Sequence, residues 1–241
     1  MIILSIPEDR TQSGSNPYQR RTVYGRTNFG QPKNTPLFDE FLSVLGEKNS
    51  FKRNPPPSFI DRPASKVSNP SILQKGNNGS QLSGSFDKYK GGLDSVHDLT
   101  GKEAVYTTWR GIEMMFHVST LLPHEEYDPQ KKKRHIGNDI VCVVFLEGED
   151  TLFSPVCIKS HFLHTFIVVR CNPTLQASLP VYEVAVVSRD EVGAYKPYLW
   201  HRSRFTKDTL FREWILTKIV NGERASYSAP KFARMQVKIN T

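Results

Sequence analysis

Ile140-Val141-Cys142-Val143-Val144-Phe145 is an unbroken apolar run rich in β-branched residues, and the stretch leading into it, Lys133-Arg134-His135-Ile136-Gly137-Asn138-Asp139, holds most of the candidate chemistry of the chain. A run of that composition predicts a buried strand about six residues long, so the polar cluster stands at a strand's entrance. Gly137 frees the backbone to approach another surface. Asn138 offers a carbonyl acceptor and two amide donors without changing charge, which suits it to holding a water molecule. A plainer reading is open to these residues: Asn138-Asp139 makes the turn into the strand, and Lys131 to Arg134 is a solvated basic face.

Outward from this stretch, strands dominate from Lys102 onward. Ala104 to Trp109 and Gly111 to Val118 read as a hairpin around Arg110-Gly111, Phe162 to Arg170 as a further strand, and Val181 to Ser188 as another with alternating burial. Two helices are expected. From Leu37 to Leu45 the apolar residues follow a helical stripe, with Gly46 placed where a C-terminal cap belongs. Thr206 to Val220 repeats the pattern, with Asp208 near its start and Asn221-Gly222 near its end. Strands interspersed with helices make the chain α/β. Residues 1–35 lack a sustained period and read as a flexible linker, with order beginning near Pro36. Residues 52–86, with Pro55-Pro56-Pro57 and Asn77-Asn78-Gly79-Ser80, read as a long flexible insertion.

Composition narrows the function classes. The net charge is +8 over 241 residues, but the basic residues are spread out apart from Lys131 to Arg134 and a looser group at Arg202, Arg204 and Lys207. No nucleic-acid motif and no glycine-rich phosphate loop accompanies them, so neither nucleic-acid binding nor independent nucleotide binding is expected. No apolar run approaches the about 18 residues of a membrane helix. The N-terminal stretch Met1 to Pro7 is too short for a signal peptide, and a cytoplasmic location is the expectation. Cys142, Cys157 and Cys171 lie in or beside apolar runs without Cys-x-x-Cys spacing, which predicts reduced core thiols. His161 and His164 lack a third metal ligand. His117, inside Met115-Phe116-His117-Val118, reads as a hydrogen-bonded core histidine.

Met114-Met115-Phe116-His117-Val118-Ser119-Thr120-Leu121-Leu122-Pro123, followed after a short acidic spacer by Lys133 to Val141, resembles the core signature of the Rap GTPase-activating protein family. Flanking pieces agree in order: Gly91-Gly92-Leu93-Asp94, Thr100-Gly101, Val105-Tyr106, Ser160-His161-Phe162, and Phe211 to Gly222. The resemblance covers roughly residues 36–235 and is nearest to the branch directed at Rap, among relatives that act on Ral and tuberin, which acts on Rheb. It implies a mixed central sheet flanked by helices over 36–235.

The implied activity is stimulation of GTP hydrolysis by a Rap-like small GTPase, with Ral or Rheb as other partners. GTP and Mg2+ would be carried by that partner, leaving no cofactor of the chain's own, and membrane recruitment would come through the GTPase. Hydrolysis needs an in-line water and compensation for charge developing on the phosphate. Rap lacks the glutamine that orients this water in Ras-type GTPases, and its activators are understood to supply an asparagine thumb in trans, here Asn138 by motif alignment. His135 is implied in docking and catalysis, or alternatively steadies the segment. Lys133 and Arg134 would meet acidic groups of the GTPase, or Arg134 would hold the local fold through Asp139. Asp139 and Phe162 complete the implied contact set, and an arginine finger is not expected of the family. The family domain continues into a further basic helix, so residues 236–241 read as a truncated end. An N-terminal dimerisation module of some members is not recognisable, and a homodimer does not follow from the sequence. A module that binds a small GTPase, or acts as a scaffold, without accelerating hydrolysis is the competing expectation.

Overall fold

The computed structural model describes residues 2–6, 34–50, 99–123, 135–148, 151–172, 180–200, 202–230 and 232. Its elements are β1 (Ile2–Ile6), α1 (Pro36–Leu45), β2 (Glu47–Ser50), β3 (Glu103–Trp109), β4 (Ile112–Val118), β5 (Val141–Leu146), β6 (Thr165–Asn172), β7 (Val181–Ser188), β8 (Arg204–Thr206) and α2 (Thr209–Tyr227). The strands form one mixed sheet in the order β2-β3-β4-β1-β5-β6-β7-β8. The pairs β4-β1, β1-β5 and β5-β6 are parallel, and the remaining pairs are antiparallel. This is the mixed sheet with flanking helices that the family resemblance implies.

Both helices form for local reasons that the sequence displays. The Thr35 side chain accepts the Phe38 amide at 3.2 Å and Pro36 opens α1, while the Asp208 carboxylate accepts the Phe211 amide at 2.8 Å to start α2. Gly46 does follow α1, but its backbone is extended, and glycine is needed there because a Cβ would collide with the Tyr106 carbonyl. The hairpin turns at Arg110 (φ 48°) and Gly111 (φ 78°), consecutive positive-φ residues that match the twist of the flanking strands.

β5 is buried along its whole length, which is why its sequence is continuous rather than alternating. Val141, Val143 and Phe145 join a large core with Phe38, Phe41 and Leu45 of α1 and Phe211, Ile215 and Ile219 of α2. Cys142, Val144 and Leu146 join a smaller second core, completed by Leu122, Ile136, Leu163 and Phe166. Cys142, Cys157 and Cys171 are free thiols, and burial raises the pKa of each.

The elements depart from the sequence reading at several boundaries, and β2 and β8 were not expected. Ile2–Ile6, placed within a flexible segment, is instead a strand between β4 and β5, with its ladder set by those two neighbours. β6 begins at Thr165 rather than Phe162, because the Ser160 hydroxyl accepts the Phe162 and Leu163 amides at 3.0 and 3.1 Å and withholds them from the ladder. α2 runs past Asn221-Gly222 to Tyr227. Gly222 serves packing rather than termination, since a Cβ there would stand 2.9 Å from the Tyr195 hydroxyl oxygen. The expected insertion at 52–86 and the end at 236–241 lie outside the described residues.

Candidate functional site

Strand register gathers the candidate residues on one edge of the sheet. Val141 pairs with Thr165 and Thr165 with Ser188, so the residues before β5, before β6 and after β7 emerge side by side. His117, near the end of β4, is brought to the same edge through Ile2, which pairs with both His117 and Cys142. Backbone hydrogen bonds seal the edge: the His164 amide donates to the Ile140 carbonyl at 3.0 Å, and the Arg189 amide to the His164 carbonyl at 2.9 Å.

The segment carrying Asn138 is a short helical turn, residues 135–137, followed by the turn into β5. Ile136 is only 1% exposed and plugs the second core, which fixes the turn against the sheet. Asn138 is exposed, and its side chain makes no hydrogen bond among the described residues. Its neighbours are held from both sides. On one side the Ser160 hydroxyl donates to the Gly137 carbonyl at 2.5 Å. On the other, the Asp139 carboxylate lies 2.9 Å from Nδ1 of His117, both side chains being mostly buried. Burial alone would push the Asp139 carboxyl up, but the hydrogen bond with His117 and nearby positive charge bring it below the ordinary carboxylate value.

Among the described residues nothing at Gly137 demands glycine: its φ is not positive, and an added Cβ would meet no described atom closer than 3.9 Å. The half-buried His135 ring lies 6.3 Å from that of His117, centroid to centroid. Phe162 is half-buried and meets Phe232 edge-on at 6.5 Å. Asp139 points its carboxylate inward to His117 rather than outward as a surface contact. Lys133 and Arg134 lie outside the described residues.

Three residues of this edge were not singled out for the site by sequence. Ser160 was read only as part of a flanking match, and Arg189 not at all. Arg189 donates to the Leu163 carbonyl at 2.8 Å and to the Ser160 carbonyl at 2.6 Å. His117 was correctly read as hydrogen-bonded, but its partner brings it to the site. A hydroxyl just before a strand is a known capturer of backbone amides, and this was the one local signal for Ser160. Among the described residues no group of three or more His, Cys, Asp or Glu side chains is arranged to hold a metal ion. No helix among them is long and apolar enough to cross a membrane.

Fold and edge together define a mixed α/β domain that presents, on a braced turn, an exposed carboxamide with no hydrogen-bond partner among the described residues. Residues 79–241 match the family described as Rap/ran-GAP, and the chain belongs to that family. It is 35% identical over 205 residues to signal-induced proliferation-associated 1-like protein 1 of Mus musculus, covering 84% of this chain and 10% of that protein. It is 43% identical over 150 residues to GTPase-activating Rap/Ran-GAP domain-like protein 3 of Homo sapiens, covering 61% of this chain and 14% of that protein. The chain therefore spans about a tenth of the length of the mouse relative. The solved structure of the TSC2 GAP domain has the same fold, with a TM-score of 0.61 and 21% identity, covering 100% of this chain and 97% of that one.

Proposed function

We propose that this domain stimulates GTP hydrolysis by a Rap-like small GTPase, and that Asn138 enters the partner's nucleotide site to orient the attacking water. The observation that carries this reading is an exposed amide without a hydrogen-bond partner among the described residues, on a turn braced at both neighbouring residues. A group poised for another molecule has to be left free by its own fold, and a braced turn limits the conformational freedom lost on docking. The amide oxygen can accept from the water while its NH2 donates toward the nucleotide, and neither act changes with pH. A glycine at 137 that the described residues do not crowd supports close approach of a partner surface there. Family membership supports the choice of a small GTPase, and a Rap-like one is favoured by the name of the human relative.

In this reading His135 assists docking beside Asn138, Phe162 contributes an apolar contact, and Lys133 and Arg134 meet acidic groups of the GTPase. No arginine supplies transition-state charge. The domain carries no nucleotide of its own, acts in the cytoplasm and reaches membranes through its partner. Single-turnover GTP hydrolysis by Rap, Ral and Rheb, with and without the protein, tests it: Rap should respond most strongly. Binding of GTP-loaded Rap without any acceleration would replace this reading with that of a scaffold.

A further inference from the structure

The turn that carries Asn138 is tied to the rest of the edge by a hydroxyl that the proposed mechanism does not use. Ser160 Oγ donates its one proton to the Gly137 carbonyl at 2.5 Å and accepts the amides of Phe162 at 3.0 Å and Leu163 at 3.1 Å. One donor and two lone pairs are thereby all engaged, the full capacity of a serine hydroxyl. The carbonyl it holds belongs to the residue immediately before Asn138. The amides it accepts belong to the segment containing Phe162, so one oxygen fixes both segments of the proposed contact surface relative to each other. Ser160 is itself held, because Arg189 Nη2 donates to its carbonyl at 2.6 Å and Arg189 Nε to the Leu163 carbonyl at 2.8 Å. From Arg189 through Ser160 to Gly137 the connection is continuous, and it starts in the loop that follows β7.

We propose that Ser160 is a positioning residue for Asn138: its hydroxyl fixes the Gly137 carbonyl, and with it the direction in which the Asn138 amide is presented. The inference rests on the reading of Asn138 as the water-orienting group. A displacement of about 1 Å in a positioned group is enough to cost a large part of a catalytic effect, so a serine that never touches the nucleotide governs the rate. Its loss acts more on the saturated rate than on docking, since it removes no docking atom and leaves Phe162 packed against Phe232.

The test compares Ser160→Thr with Ser160→Val, side chains of one shape that differ in the hydroxyl, with Ser160→Ala beside them. Each is assayed by single-turnover hydrolysis in GTP-loaded Rap over a range of protein concentrations, with Asn138→Ala in parallel. Ser160→Val and Ser160→Ala should lower the saturated rate about tenfold, the scale of one lost hydrogen bond, and Ser160→Thr should regain most of it. The half-saturating concentration should move by less than about twofold in all three. Hydrogen exchange at the Phe162 and Leu163 amides should quicken in Ser160→Val and Ser160→Ala but not in Ser160→Thr, which confirms that the bonds have been broken in folded protein. A full rate in Ser160→Val while those amides exchange faster would overturn the inference, as would equal losses in Ser160→Thr and Ser160→Val. If Asn138→Ala is inactive while Ser160→Val matches wild type, the positioning role alone falls. If Asn138→Ala keeps full stimulation, the reading of Asn138 has failed, and this role falls with it.

Discussion

On one face of the sheet α1 and α2 close over Phe38, Phe41, Phe145, Tyr182 and Phe211. On the other, the smaller core is completed by Ile136 and Leu163, which come from the irregular segments that precede β5 and β6. The aromatic core is built from regular elements, with Phe41 stacked at 5.0 Å on Phe145 and Tyr182 stacked at 5.1 Å on Phe211. Its burial stabilises the domain, and none of the candidate site residues among the described residues belongs to it. The second core places the site, because Ile136 stands between His135 and Gly137 in the chain. Stability and placement are thus assigned to opposite faces of one sheet, and mutations should separate them.

The largest effect expected comes from the site itself. Asn138→Ala should lower the saturated, stimulated hydrolysis rate by at least about a hundredfold, while stability stays within about 0.5 kcal/mol because the residue is exposed. Single-turnover kinetics and urea unfolding on the same preparation check both halves, and an unchanged rate would remove Asn138 from the mechanism.

Next come the two cores. Phe41→Ala should cost about 3–5 kcal/mol in urea unfolding, yet leave the saturated rate per folded molecule unchanged. Ile136→Ala should cost about 2–5 kcal/mol and also slow stimulated hydrolysis, because the turn carrying Asn138 loses its plug. If both variants lower the rate per folded molecule equally, the division between faces is wrong.

A smaller effect belongs to the brace on the other side of Asn138. The Asp139 carboxyl is held below its ordinary pKa, so its contribution to stability is fully present above the unfolded value of about 3.9 and is lost as pH falls through the lower folded value. The melting temperature of the wild type should therefore fall more steeply below pH about 4 than that of Asp139→Asn, which has no such group to protonate. Parallel acid profiles would count against the buried pair.

The smallest effect expected lies on α2, away from the braced turn. Lys218 is buried, its Nζ donates to the Tyr195 carbonyl at 2.8 Å, and burial lowers its pKa to about 8. Above that pH the folded chain gives up the proton that the unfolded chain keeps until about 10.4, so this residue makes stability rise with pH across the window. Lys218→Met should flatten that rise by on the order of 1 kcal/mol, without altering stimulated hydrolysis. A pH profile identical to wild type would show that Lys218 keeps its charge.

Much of this domain was legible in its residues. The continuous run from Ile140 to Phe145 specified a buried strand, Arg110-Gly111 specified a hairpin, and the apolar stripes of Leu37 to Leu45 and Thr206 to Val220 specified two helices. Each of these signals acts within a few residues, through a cap, a turn or a side-chain period, and so survives in the linear text. Asn138 was likewise legible as a candidate, from its chemistry and from the family signature around it.

The linear chain therefore carried the local vocabulary: α/β class, most strands, two helices and the identity of the candidate amide. Only the tertiary structure decided how these are held. Ile2–Ile6 is a short apolar run, and what it pairs with, β4 on one side and β5 on the other, is written nowhere near it in the chain. Gly222 stays inside α2 because close packing against Tyr195 offsets a helix penalty of about 1 kcal/mol. The bonds from Ser160 to Gly137 and from His117 to Asp139 span 23 and 22 residues, and they exist because strand register sets distant segments side by side. A hydrogen bond is made between positions in space, and the spacing of letters along a chain does not fix those positions until the sheet has formed.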